Sequence, residues 1–341
     1  MSRSFPSLAE ARAWRARMAS GQADIVAGAK GAPVLDALAQ RVLDEMDDGT
    51  LRNRSGDPFK PSVVRSYESC YTEHIKPALG GRRISTITRR DVQGVVNEIM
   101  ARGLSASTAR NALMPLRLVY RVAVRDELGV TQSPITGVEL PAVRGKRDRY
   151  ATPVEVAALL GALEPHDRGV WATAFYSGLR RGELMGLDWG HVDLDANVLR
   201  VERAYDPGSK TYNTPKSRAG VRTVPIIKPL RMALLEHRMQ LGRTTGLAFG
   251  RAAALPFSSE AVSKRAKRVW TAAGLAPITL HSCRHTFASL MIAAGVNAKT
   301  LQEIGGWSSI AIVYDRYGHL MPGARDEAAG LLEAYLEAAL Q

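Results

Sequence analysis

Two cysteines in 341 residues, Cys70 and Cys283, leave no material for a disulfide framework or a cysteine-rich zinc site. Long apolar runs are missing as well. The longest largely apolar stretch, Phe287 to Val296, is about half of the ~20 residues that a helix needs to cross a bilayer, so no membrane span is expected. The opening MSRSFPSLAEARAW has no apolar signal core, which points away from export and toward a cytoplasmic location. A phosphate-binding G-x-x-x-x-G-K-S/T loop is absent, because the one Gly-Lys pair, Gly145-Lys146, is followed by Arg147. His281 and His285 are four apart, but Ser282 follows His281 where a zinc-peptidase helix needs Glu. No cluster of Asp and Glu offers ligands for two-metal nuclease chemistry. Acid is scarce overall. Against 46 Lys plus Arg stand 33 Asp plus Glu, a net charge of +13.

A basic excess of that size fits a polyanionic partner, nucleic acid first and an anionic membrane surface second. The charge is not confined to a tail. Residues 1–149 carry +8 and residues 150–341 carry +5. Two basic lobes suit a clamp around a duplex better than a single basic arm does. At 45% hydrophobic and 23% charged, the chain can also bury ordinary cores.

Periodicity divides the chain. Residues 1–32 are Ala-rich, with a short apolar face of Leu8, Ala11 and Trp14, and end in the small-residue stretch Gly21 to Pro33. From 33 to 140 helical patterns dominate. Their faces are Leu35/Leu38/Ala39/Val42/Leu43, Val63/Tyr67/Tyr71, Val92/Val95/Val96/Ile99 and Ala112/Leu113/Leu116/Val119/Tyr120/Ala123, the last with Pro115 near its start. Residues 141–149, PAVRGKRDR, form a basic linker whose Arg144, Lys146, Arg147 and Arg149 are candidate phosphate contacts.

The remainder, 150–341, opens with Thr152-Pro153-Val154-Glu155, an N-cap followed by Pro at the first helical position. A helix over Val170 to Tyr176 ends at Ser177-Gly178. Asn197 to Glu202 and Val221 to Ile227 read as two strands of a hairpin with an elaborated polar tip, and everything after Lys228 reads as helical. Neither internal repeats nor low-complexity tracts appear. The expected fold is mainly α with a small antiparallel β-sheet (α+β) in the second domain and an all-α first domain.

If such a chain breaks a nucleic-acid backbone, it must use cationic side chains and a protein nucleophile. The groups are there: Ser177-Gly-Leu-Arg-Arg-Gly-Glu-Leu184, Lys216 in the hairpin tip, His281-Ser-Cys-Arg-His285 with His281 and Arg284 three apart on one helix face, Gly306-Trp307-Ser-Ser309, and Tyr314-Asp-Arg-Tyr-Gly-His319. Five such boxes in this order resemble the catalytic domain of the tyrosine recombinase (phage integrase) family, over roughly the last 190 residues. The segment 33–140 resembles that family's core-site DNA-binding domain, and the two together imply a C-shaped clamp on DNA.

The resemblance implies a site-specific DNA recombinase that forms a covalent 3′-phosphotyrosine link without metal, nucleotide or other cofactor. It gives Arg180 and Arg284 the two non-bridging phosphate oxygens, which paired guanidinium N–H donors suit. It makes His281 the proton-handling imidazole, Lys216 the general acid for the leaving 5′-oxygen, and Trp307 a donor to the phosphate. Tyr317 is the nucleophile by its Arg-Tyr-Gly-His context, with Tyr314 as the other candidate. His285 and Glu183 become supporting residues, Glu183 bracing an arginine. Cys283 is expected to be buried and inert.

Partners implied are double-stranded recombination sites, further copies forming a tetramer on DNA, and accessory bending or directionality proteins. The amphipathic stretch Asp326 to Leu340 either closes its own core or docks on a neighbouring copy. Lys264, Arg265, Lys267 and Arg268 form either a solvated helix face or a phosphate-contacting one. Residues 1–32 match only the helix that follows an arm-site-binding sheet in this family, so arm-site binding is left open. Integration or excision of a phage or mobile element is the leading activity. A chromosome-dimer resolvase of the same chemistry and a non-catalytic DNA-binding regulator on the same fold are the alternatives.

Overall fold

The computed structural model describes residues 31–143, 149–213 and 220–321, together with 333, 335–337, 339 and 340. Outside the described residues fall nearly all of the 1–32 segment, Arg144, Lys146 and Arg147 of the basic stretch, Lys216, and most of the amphipathic stretch Asp326 to Leu340. The chain divides into two compact units between residues 146 and 147, inside the basic stretch.

The first unit is helical: α1 (Leu35–Asp47), α2 (Pro61–Cys70), a wide turn over Tyr71–Ile75 leading into α3 (Lys76–Leu79), α4 (Arg89–Ala101) and α5 (Ala106–Arg125). Capping explains where these begin. Thr88 and Asp91 form a reciprocal capping box at α4. The Ser105 hydroxyl accepts from the Thr108 N–H at α5. Because Ser105 sets that start, Pro115 lies in the middle of α5 and not near its beginning, a correction to the sequence reading. The four apolar faces meet in one core that includes Leu35, Leu38, Ile99, Leu113, Leu116 and Tyr120. The Tyr120 hydroxyl donates to the Ile84 carbonyl, which lets a phenol sit in that core.

The second unit runs α6 (Pro153–Gly161), α7 (Pro165–Ser177), α8 (Arg181–Gly186), β1 (Val192–Asp193), β2 (Val198–Val201), β3 (Ala204–Asp206), β4 (Thr211–Asn213), β5 (Arg222–Pro225), α9 (Lys228–Leu241), α10 (Ser259–Ala272), α11 (Leu280–Ala293), α12 (Ala298–Gly305) and α13 (Ile310–Tyr317). The expected hairpin pairs β2 with β5, antiparallel, with Val201 opposite Arg222. Its tip contains a second hairpin, β3 with β4, and its edge gains β1; the sequence reading assigned none of these three short strands.

Nor is everything after Lys228 helical. Gly242, in the left-handed region, ends α9, and the stretch to Ser258 is extended and turned, with Leu247 bridged to Asp188. Gly246 and Pro256 break what the Ala-rich composition suggests. A large core around Trp171, Phe175, Leu230 and Trp270 supports this unit. A smaller core of Phe287, Ile292, Leu301, Trp307, Val313 and Tyr317 holds α11, α12 and α13 together.

Candidate active site

Four segments converge on one place. Helix α7 ends at Gly178, whose φ of 62° turns the chain back on itself. A side chain at Gly178 would also collide with the Phe287 ring, so glycine is needed twice over. Its carbonyl, freed by the turn, accepts from Arg284 Nη1 at 2.7 Å.

Two residues later Arg180 caps α8. Its Nη1 donates to Glu183 Oε1 at 2.8 Å and its Nη2 to the Gly306 carbonyl at 2.6 Å. Arg180 stays 43% exposed at the side chain, whereas Glu183 is buried. Glu183 is held from a second side by Arg222, which donates to both of its carboxylate oxygens at 3.2 and 2.9 Å. Burial pushes the Glu183 carboxyl upward, but the Arg222 hydrogen bonds and the charges of Arg222 and Arg180 outweigh it and keep the carboxyl below its usual range.

Helix α11 brings His281, Arg284 and His285, capped by Thr279 on the Ser282 N–H. Arg284 is only 3% exposed. Its guanidinium lies 4.1 Å above the Trp307 ring, a cation–π contact. Its Nη2 is buried without a hydrogen-bond partner among the described residues. Burial, with the nearby positive charge of Arg180, pushes the Arg284 pKa down to about 9. A buried cation with an unused donor is costly by itself and well matched to an anion that accepts from it. The next residue, His285, has its Nδ1 2.8 Å from the Tyr317 hydroxyl at the end of α13. His281 is exposed and meets His285 edge-on, ring centres 4.9 Å apart.

Trp307 closes the site. Its ring packs edge-to-face on Tyr317 at 5.6 Å. Gly305 allows this, since any side chain there would overlap the indole. The result is a cluster in which two guanidiniums flank Gly306-Trp307 and a phenol sits against an imidazole. No group of three or more His, Cys, Asp or Glu that could hold a metal occurs among the described residues.

Comparison with known proteins bears on this arrangement. The family model described as the phage integrase family matches residues 149–323, and one described as a phage integrase N-terminal SAM-like domain matches 57–100.

The chain belongs to the phage integrase family.

It is accordingly a site-specific DNA recombinase of the tyrosine type. Among its relatives, a tyrosine recombinase XerC-like protein of Caldanaerobacter subterraneus is 28% identical over 80% of this chain and 78% of that one. The ICEBs1 integrase of Bacillus subtilis is 27% identical over 81% and 79%. Among solved structures, the Tn1549 transposon integrase in complex with transposon right-end DNA superposes with a TM-score of 0.70 at 19% identity, covering 89% of this chain and all of that one. A lambda integrase dimer bound to a COC′ core site gives 0.66 at 19%, covering 89% and 85%. At such identities the structural likeness speaks for the fold alone.

Of the residues expected in the integrase site, the structure brings together Arg180, Arg284, Trp307 and Tyr317, with His281 adjoining through His285. Lys216 lies outside the described residues. Tyr314 is 53% exposed, whereas Tyr317 is buried. Cys283 is buried within the core, which raises its thiol pKa well above the ordinary value.

Two candidate DNA contacts are engaged within the protein. Arg265 forms a two-pronged pair with Asp167 at 2.8 and 2.6 Å. Arg149 donates to Glu155 and to the carbonyls of Ala276 and Pro277. Lys264, Lys267 and Arg268 are exposed on α10. Sequence reasoning passed over Arg222, whose only signal was a basic residue at the start of a strand, and placed His285 merely as support.

Proposed function

We propose that the chain catalyses integration or excision of a mobile element, cleaving each DNA strand with Tyr317. The single observation that carries this reading is the buried Tyr317–His285 hydrogen bond beside two arginines that flank Gly306-Trp307. The Tyr317 oxygen attacks the scissile phosphorus and gives its proton to the imidazole pair of His285 and His281. A tyrosine–phosphorus bond forms, the bond to the 5′-oxygen breaks, and Lys216 protonates that oxygen. Arg284 Nη2 and Arg180 donate to the non-bridging oxygens as their charge grows. Losing one such donor typically costs roughly 10²–10³ in rate. Trp307 fixes the Arg284 guanidinium over its ring and presses Tyr317 into place. Because the phosphotyrosine bond conserves the energy of the broken one, a 5′-hydroxyl from another strand reseals it, so no cofactor is required.

The ICEBs1 integrase relative supports the mobile-element reading. A lambda integrase of the same fold is known as a tetramer bound to a Holliday junction, and assembly of this chain as a tetramer on DNA is in keeping with that. Unit one reads the core site, Lys264, Lys267 and Arg268 contact phosphates, and the protein works in the cytoplasm on the nucleoid, where DNA-bending or directionality proteins join it. Among the described residues no helix is long and apolar enough to cross a membrane.

A nicked DNA substrate that traps the intermediate tests the reading. A protein–DNA adduct that survives denaturant and forms in EDTA is expected. Turnover that needs a divalent cation, or no adduct at all, contradicts it.

A further inference from the structure

Arg222 has no part in the chemistry just described, yet it is among the most heavily bonded side chains around the site. Its side chain is 5% exposed. Nε donates to the Ile304 carbonyl at 2.7 Å, Nη1 to Glu183 Oε1 and to the Gly220 carbonyl at 3.2 Å each, and Nη2 to Glu183 Oε2 at 2.9 Å. Those acceptors lie on three separate pieces of the site. Glu183 sits on α8 and holds both the backbone N–H and the guanidinium of Arg180. Ile304 is near the end of α12, two residues before Gly306, whose carbonyl takes the other arm of Arg180, and three before Trp307. Gly220 lies two residues before the start of β5.

We propose that Arg222 is a positioning residue for catalysis, acting through Glu183 to hold the Arg180 guanidinium at the scissile phosphate and locking the Trp307 segment at the same time. The inference rests on the strand-cleavage reading and deepens it. Arg180 is linked to the protein at Glu183 and at Gly306, and Arg222 fixes both anchors. One guanidinium serves all four acceptors because its donors diverge in a plane; an ammonium at the end of a lysine cannot reach the same set. Without Arg222, Glu183 keeps one cation instead of two, and the Ile304 end of α12 loses its tie to β5. Arg180 then retains its charge but not its aim. A misplacement of about 1 Å can cost on the order of 10²-fold in rate.

The test separates aiming from folding. Arg222→Lys and Arg222→Met are compared with the unaltered protein and with Arg180→Ala in single-turnover cleavage of the nicked substrate, with thermal melting and DNA affinity measured alongside. A second substrate carries a methylphosphonate at the scissile position, as both stereoisomers. Replacing one non-bridging oxygen by methyl removes the charge that Arg180 is there to meet, so a defect that lies in Arg180 is relieved.

Both Arg222 variants are expected to bind DNA within threefold of the unaltered protein. Their phosphodiester cleavage should be about ten- to a hundredfold slower, and the same methylphosphonate isomer should relieve them and Arg180→Ala alike. If Arg222→Met loses its melting transition, Arg222→Lys alone decides. Rates equal to the unaltered protein overturn the inference, as does a slow Arg222→Lys that the methylphosphonate leaves slow while relieving Arg180→Ala. No adduct from the unaltered protein overturns the strand-cleavage reading itself and this inference with it.

Discussion

The hydroxyl of Tyr317 and Nδ1 of His285 are 2.8 Å apart, and both side chains are buried. A phenol buried against an imidazole is placed to lose its proton locally instead of to bulk water. The α13 end carrying Tyr317 is packed into the small core with Trp307 and Val313, so the contact is part of the folded domain.

Replacing His285 by Gln keeps a polar group of similar reach but removes the imidazole that can take a proton. Covalent adduct formation by His285→Gln is expected to slow by roughly 10²-fold, with DNA affinity unchanged in a gel-shift titration. Cleavage at the normal rate would show that the contact is only structural.

Arg284 makes a pH prediction of definite sign. Its folded pKa is lowered to about 9, while in the unfolded chain it stays near the usual arginine value. Below pH 9 both states are protonated and the buried charge weighs against folding. Above pH 9 the native state releases its proton first, so this group's contribution to stability rises with pH. A phosphate against Nη2 reverses the shift, and DNA binding therefore takes up a proton above pH 9. Calorimetry of binding in buffers of different ionisation enthalpy at pH 9.5 should show that uptake, and Arg284→Ala should lose it.

Helix α10 offers a contrast between neighbours. Lys264, Lys267 and Arg268 are exposed, whereas Arg265 is paired with the buried Asp167. Replacing the three exposed residues by Ala should leave melting unchanged and lower the salt dependence of DNA affinity, by about 0.9 in log–log slope for each phosphate that is no longer neutralised. Arg265→Ala should do the opposite. It takes the two-pronged partner from a buried carboxylate, which keeps His166 Nε2 at 3.4 Å, and costs about 2 kcal/mol in a denaturant titration, with little change in salt slope.

That contrast shows what a lone sequence conveys and what it does not. The helix start at Thr152 was legible because a cap is local: its hydroxyl bonds within its own first turn. Arg180, Arg284 and Tyr317 were legible because the boxes around them keep their wording. The short strands β3 and β4 were not, since three residues show no alternation that a loop lacks. Periodicity put Arg265 on a helix, but its Asp167 partner is 98 residues away and leaves no local trace. Arg222 and His285 gain their meaning only from what folding sets beside them.

The most direct measurement is to trap the covalent adduct, digest it and locate the modified tyrosine by mass spectrometry. The site geometry predicts a single phosphorylated residue, Tyr317, with Tyr317→Phe giving no adduct and Tyr314→Phe giving a normal one. A nucleotide attached to Tyr314, or an adduct that persists in Tyr317→Phe, contradicts the account.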